Sequence, residues 1–188
     1  MRLVALLVLL ASAAASAQPA APRPAVSSLS VGIGNAARPE PRVGVSGGPL
    51  LTASLDYQRS VGTLLAQVGV SGSSELFGGD ELNEVHVAVG GAGSAGPLLL
   101  SAVAGPSVGG ARVAGSGGSG PRSTPVVGAY IAARGIFVVV PRVGVGVEAF
   151  AHANTVLPVA GGRLVFAFGR LPGAAFPNPP PTPRRPGP

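Results

Sequence analysis

Apolar and polar residues alternate with a period of two along most of the chain between residues 51 and 169. Successive side chains of a β-strand point to opposite faces, so this pattern predicts strands that each have one apolar face. Val85 and Val87, for example, alternate with Glu84 and His86. Helix is disfavoured because the segments are rich in Gly and Val and interrupted by Pro. The sequence therefore predicts an all-β protein.

Turn-forming residues divide the chain into about eight strands. Seven are predicted at residues 50–59, 63–72, 83–91, 97–105, 126–134, 138–150 and 161–171. A first strand comes from either 26–34 or 42–46. The intervening segments include a polar loop at 73–82, a Gly/Ser loop at 112–123 and a turn at 135–137.

The composition of the two faces decides between a soluble sandwich and a membrane barrel. A sandwich exposes a face rich in Lys, Glu and Thr, whereas here the second face is mainly Gly, Ser and Ala with single charges. Such a face suits a narrow interior, with the apolar side chains turned outward to lipid. Val68 is then expected to face out and Gln67 to face in. The single charges assigned to the interior are Asp56, Glu84, Arg142, Glu148 and Arg163.

The ends of the chain differ from this body. Residues 1–17 have a basic start, an apolar run and an A-x-A ending, which predicts a cleaved signal peptide. Residues 18–41 form a Pro/Ala-rich leader that possibly contains the first strand, 42–171 the barrel, and 172–188 a Pro-rich disordered tail. The net charge of +6 comes mostly from the flanks, and aromatic residues are only 4%. A nucleic-acid surface is therefore excluded.

A short motif near the end of the body carries a family resemblance. Residues 161–166, GGRLVF, fit G-x-x-Φ-x-Φ with Φ apolar, and Phe168 extends the pattern. This resembles the closing-strand signal of bacterial outer-membrane barrels, and residues 43–171 resemble the small, uncharacterised OmpA/OmpX-like type. The resemblance implies an antiparallel up-and-down barrel of about eight strands. Such barrels carry aromatic girdles. This chain has no Trp, and the aromatic candidates are Tyr57, Tyr130, Phe77, Phe137, Phe150, Phe166 and Phe168.

Candidate chemistry is sparse, and the sequence assigns no catalytic, cofactor-binding or metal-ligating residue. The chain has two His and no Cys, so a zinc site lacks ligands. Glu84 and His86 share a strand face and are expected to form an internal polar pair offset by Arg142 or Arg163. The acidic stretch 75–84 lacks the spacing of a calcium loop and is interpreted as a solvated surface loop. The glycine runs at 32–35 and 115–120 lack the Lys of a phosphate-binding loop.

The predicted function is a non-catalytic outer-membrane barrel with a structural, surface-interaction or minor transport role. Its expected partners are the lipid bilayer, the outer-membrane assembly machinery and a possible surface ligand at the loops, and it is expected to be a monomer without a cofactor. The alternative is a soluble secreted or periplasmic β-sandwich that binds a partner. An outer-membrane enzyme would require a polar triad assembled at one rim of the barrel.

Overall fold

The computed structural model describes residues 25–38, 49–61, 64–75, 79–113 and 120–172. They form eight strands: β1 (Ser27–Ala37), β2 (Leu50–Val61), β3 (Leu64–Glu75), β4 (Glu81–Ala95), β5 (Leu98–Val113), β6 (Arg122–Val140), β7 (Val143–Asn154) and β8 (Val159–Arg170). The described part of the chain contains no helix long and apolar enough to cross a membrane.

Each strand pairs antiparallel with the next one, and β8 pairs with β1, so the sheet closes into a barrel. The closing register runs from Ser27 opposite Arg170 to Ala37 opposite Ala160. Closure leaves no edge strand, so the backbone groups of the wall bond within the sheet. The predicted eight-stranded up-and-down barrel is confirmed, and the alternative of a two-sheet sandwich is wrong.

The two ends of the barrel differ in their connections. Only two residues separate β2 from β3, β4 from β5 and β6 from β7, and the strand ends that flank these pairs lie at one end of the barrel, together with the start of β1 and the end of β8. The strand ends at the other end of the barrel are separated by four to twelve residues. We call these the short-turn end and the loop end. In the turn between β4 and β5, Gly96 has a φ of 57°, a left-handed conformation that glycine adopts without steric cost.

The predicted turn at 135–137 is wrong, because those residues lie inside β6. Gly135 tolerates a strand position here: a side chain at that site would meet only Leu100, at 3.4 Å. The chain turns instead at Pro141 and Arg142, where proline has no N–H to contribute to a ladder. β6 therefore spans 19 residues and carries Arg134 into the barrel wall.

Other predicted boundaries shift at the flanks. The first strand is the earlier of the two candidates and lies within the segment interpreted as a leader. Residues 42–46, the signal peptide at 1–17 and the tail from 173 onward lie outside the described residues. The Gly/Ser loop predicted at 112–123 is shorter, since β5 continues to Val113 and β6 begins at Arg122.

Apolar side chains fill the barrel near both of its ends. Leu65, Leu99 and Val138 are buried beside the three short turns, and Leu50, Leu82 and Leu157 are buried toward the loop end. Polar and charged side chains occupy the length between them. The part of the interior that the structure describes is therefore packed, which agrees with the small bore of an eight-stranded barrel.

Candidate functional site: the outer wall and the charged interior

The outer wall of the barrel is a continuous apolar surface. Val127 is 72% exposed, Val147 65% and Ile33 61%. The other large apolar side chains with at least 37% exposure include Leu29, Val31, Leu55, Leu64, Val68, Val70, Val85, Val87, Val89, Leu100, Val108, Leu164 and Phe166. Soluble monomers rarely expose an apolar patch of this extent. The predicted outward orientation of Val68 and inward orientation of Gln67 are both confirmed.

Aromatic side chains on the outer wall lie in its short-turn half. Tyr57, Phe137, Phe166 and Phe168 face outward there. Phe150, which the sequence suggested for the girdle, instead faces inward and is 1% exposed. Its ring lies 3.6 Å from the guanidinium carbon of Arg163, so a cation–π contact holds it in the interior. Phe77 lies outside the described residues.

At the centre of the interior, Glu148 lies between two arginines. It is the register partner of Arg134 on β6 and of Arg163 on β8. Arg134 donates from Nε to Glu148 Oε2 at 2.8 Å, and Arg163 donates from Nη1 to Oε1 at 3.0 Å. Buried charges are tolerated when they are paired and hydrogen-bonded in this way.

The remaining donors of these arginines extend the network across the barrel. Arg134 donates to Ser30 Oγ at 2.8 Å and to Asp56 Oδ2 at 2.9 Å. Arg163 donates to Thr52 Oγ1 from Nε at 3.1 Å and from Nη2 at 2.9 Å. The five strands β1, β2, β6, β7 and β8 are thus joined by charge-assisted hydrogen bonds, which are stronger than neutral ones.

Asp56 also anchors a second group of buried side chains. His86 Nε2 lies 3.0 Å from Asp56 Oδ1, and Gln67 donates to the same oxygen at 3.2 Å. The His86 ring stacks on Tyr130 with 3.8 Å between centroids. Gly69 makes room for this group, since a Cβ there would lie 2.1 Å from Asp56 Oδ1.

A third group contains the side chains that a hydrolase would need. His152 Nε2 lies 3.1 Å from Ser71 Oγ, and His152 Nδ1 lies 2.5 Å from Glu84 Oε2. Ser107 donates to the other oxygen of Glu84 at 3.2 Å. All four side chains point into the barrel, and Ser71 is 7% exposed. In a hydrolytic triad, a serine nucleophile contacts a histidine base, and a carboxylate orients the histidine. Ser71, His152 and Glu84 contact one another in this order.

Several predictions about the charged residues are therefore wrong. Arg142 is exposed at a turn instead of lining the interior. Neither Arg142 nor Arg163 offsets Glu84 and His86, because Glu84 contacts His152 and His86 contacts Asp56. Arg134 and Tyr130 were not assigned to the interior; the misplaced turn at 135–137 made Arg134 the last residue of its strand. Its register pairing with Glu148 is the signal that identifies it.

The acidic stretch 75–84 is not the solvated loop that the sequence suggested. Arg38 lies 2.5 Å from Glu75 Oε1 and 2.8 Å from Asp80 Oδ2, and Glu84 is inside the barrel. Asp80 and Glu84 are buried, and Arg38 and His152 compensate them, whereas Glu75 and Glu81 are partly exposed. Within the described ranges, no three His, Asp or Glu side chains gather as a metal ion would require.

These features define a small, closed eight-stranded barrel with an apolar outer wall and a packed, charged interior. The sequence matches no family model and no curated protein. The fold is similar to that of Ail, the attachment invasion locus protein of Yersinia pestis, with a TM-score of 0.57, 15% identity and coverage of 79% of this chain and 99% of that one.

A second similar structure is Neisserial surface protein A, with a TM-score of 0.56, 12% identity and coverage of 75% of this chain and 94% of that one. Ail in complex with the heparin analogue sucrose octasulfate gives a TM-score of 0.55 at 14% identity, over 77% of this chain and 97% of that one. These similarities agree with the predicted fold, a small, closed eight-stranded barrel.

Proposed function

We propose that this protein is an integral outer-membrane barrel whose loop end interacts with ligands outside the cell and which is not an enzyme. The observation that carries the proposal is the orientation of the wall, with apolar side chains outward on every strand. Only lipid solvates such a surface, and only a closed sheet satisfies its backbone inside a bilayer. The expected state is a monomer inserted by the outer-membrane assembly machinery.

The connections give the proposed orientation. Outer-membrane barrels have short periplasmic turns and longer extracellular loops. The short-turn end, where β1 begins and β8 ends, is then periplasmic. The loop end is extracellular. Because the described interior is packed, the protein is proposed to have no wide aqueous pore.

The loop end has features suited to an anionic ligand. Arg112 and Arg122 are exposed where β5 and β6 approach the loop, and neither lies within 4.0 Å of a described carboxylate. A groove of about 470 Å³ is lined in part by Arg112, Ser123 and Thr124, and also by Glu81, the register partner of Arg112. Arginine and hydroxyl groups recognise sulfate and phosphate oxygens. Ail, a neighbour in fold, has been solved with a sulfated heparin analogue. We propose sulfated or phosphorylated surface polymers as the ligand class.

One observation favours a second candidate, ester hydrolysis, namely the contact of Ser71 with His152 and Glu84. It ranks second because the hydroxyl is buried among packed side chains. A hydrolase also needs hydrogen-bond donors placed for the oxyanion. Ser107, the further group in contact, is already bonded to Glu84.

Insertion is tested by electrophoresis of detergent-extracted protein with and without boiling. A folded barrel is expected to migrate differently when unboiled, and identical mobility would contradict the proposal.

Orientation is tested with single cysteines, since the chain has none. Thr155→Cys at the loop end should react with an impermeant maleimide on intact cells, whereas Arg142→Cys should react only after lysis.

The ligand class is tested by binding of fluorescent heparin to intact cells that display the folded barrel. Arg112→Gln/Arg122→Gln should lower binding several-fold because two exposed cations are removed. Arg59→Gln/Arg170→Gln removes the same charge from the periplasmic end and should leave binding unchanged. Equal effects of the two double variants would reject the assignment to the loop end.

A further inference from the structure

Charges outside the central interior network are distributed unequally between the two ends of the barrel. At the loop end, Arg38, Arg112 and Arg122 are balanced by Glu75, Asp80 and Glu81. The other three described acids, Asp56, Glu84 and Glu148, face the interior. At the short-turn end, Arg59, Arg142 and Arg170 are exposed. No outward-facing acidic residue accompanies them among the described residues, so this end carries an uncompensated positive charge.

These three arginines lie along one side of the rim, which we call the arginine arc. Ser27 on β1 is the register partner of both Arg59 and Arg170. The two arginines are therefore separated by one strand, so their Cα atoms are about 10 Å apart. Arg142 follows next, since its carbonyl oxygen accepts a hydrogen bond from Gly169 N at 3.0 Å. Within the described chain, none of the three guanidinium groups has an ion-pair or hydrogen-bond partner.

The arc lies directly beside the aromatic part of the apolar wall. Leu29 is the next outward-facing residue after Ser27 on β1 and lies further from the rim. It is the register partner of Tyr57 and Phe168. These two rings are 40% and 47% exposed, and the Tyr57 hydroxyl lies 3.2 Å from Ser27 Oγ. Amphipathic aromatic side chains at a wall of this kind lie at headgroup level. Arginines one row beyond them reach the phosphate layer with their apolar stems along the wall.

We propose that the arginine arc binds the phosphates of anionic phospholipids in the periplasmic leaflet. The proposal rests on the proposed membrane insertion and adds a lipid preference to it. Guanidinium groups bind phosphate oxygens through paired N–H donors. Because no carboxylate competes for them, the three cations favour a leaflet region rich in net-negative headgroups over a zwitterionic one. A lipid is the expected ligand because the three arginines lie next to an aromatic surface that faces the bilayer.

The test is native mass spectrometry of the full barrel, folded in neutral detergent and titrated with phosphatidylglycerol or phosphatidylcholine. The wild type is expected to retain phosphatidylglycerol several-fold more than phosphatidylcholine. Arg59→Gln/Arg170→Gln should lose most of that several-fold preference, because two of the three cations of the arc are removed. Arg112→Gln/Arg122→Gln has the same net charge and should keep it. Equal retention of the two lipids by the wild type, or equal loss in both variants, would refute the arc.

Three further measurements distinguish this inference from a folding defect, from a requirement for guanidinium alone and from simple phosphate binding. Unboiled gel mobility shows whether each variant is a folded barrel, so a failure of insertion is distinguishable from a loss of lipid preference. Arg59→Lys/Arg170→Lys keeps the charge and should keep most of the preference. Soluble glycerol phosphate lacks acyl chains and should not displace the lipid. Complete displacement would mean that the arc binds phosphate without the membrane.

Discussion

Arg134 on β6 donates from Nη2 to Asp56 Oδ2 on β2 at 2.9 Å, across the barrel interior and across 78 residues of sequence. The same side chain bonds Glu148 and Ser30. One guanidinium therefore compensates two buried carboxylates on different strands. The stability of the barrel is expected to depend on this residue more than on any exposed arginine.

Arg134→Met should destabilise the barrel by about 3–5 kcal/mol, because it leaves Asp56 and Glu148 buried with fewer partners. Arg142→Met is the control, since Arg142 is exposed and has no acidic partner in the described chain; its effect should stay within about 0.5 kcal/mol. Urea unfolding in detergent micelles, followed by far-ultraviolet circular dichroism, measures both. Similar values for the two variants would mean that the network contributes little to stability.

Val68→Arg should reduce insertion strongly, since Val68 faces outward within the apolar wall. An arginine at the bilayer midplane costs about 2–4 kcal/mol, and near an interface about 0–1 kcal/mol. Ser74 lies on the same face of β3 but close to its loop end, so Ser74→Arg should be tolerated. The yield of heat-modifiable barrel in liposomes is the measurement. Equal yields would show that the wall at Val68 does not contact acyl chains.

Gly69→Ala should displace the Asp56–His86 contact, because the added Cβ would lie 2.1 Å from Asp56 Oδ1 and 2.7 Å from His86 Nε2. Overpacking of this kind costs about 1–3 kcal/mol. Gly110→Ala is the matched control, since nothing lies within 4 Å of a Cβ at that position. The free energy of unfolding should fall only in the first variant, and a neutral Gly69→Ala would indicate a looser interior.

Ser71→Ala separates a structural serine from a nucleophile. Loss of its contact with His152 should lower the free energy of unfolding by about 1 kcal/mol. Hydrolysis of p-nitrophenyl esters by the folded barrel should stay at the background rate in the wild type, Ser71→Ala and His152→Gln alike. A wild-type rate above background that both variants abolish would make ester hydrolysis the function.

Much of the fold was predictable because face composition has a direct physical meaning. The alternation of Val85 and Val87 with Glu84 and His86 predicted both the strand and its orientation, and the structure confirms them. The turn at 141–142 was missed because Gly135 resembles a turn residue, although an outward glycine fits within a strand. The pairing of Glu84 was not predictable, because the sequence offers it several possible cationic partners. Only the closed barrel, which brings β4 and β7 together across the interior, decides that the partner is His152.

The sequence by itself determined which side chains share each face of a strand, because a period of two sorts residues onto two faces whatever the strand order. It also determined that one of these two faces is largely apolar. Only the tertiary structure decided that Glu148 lies between Arg134 and Arg163, and that Arg59 and Arg170 flank Ser27. Those pairs depend on closure and register, which join residues far apart in the chain.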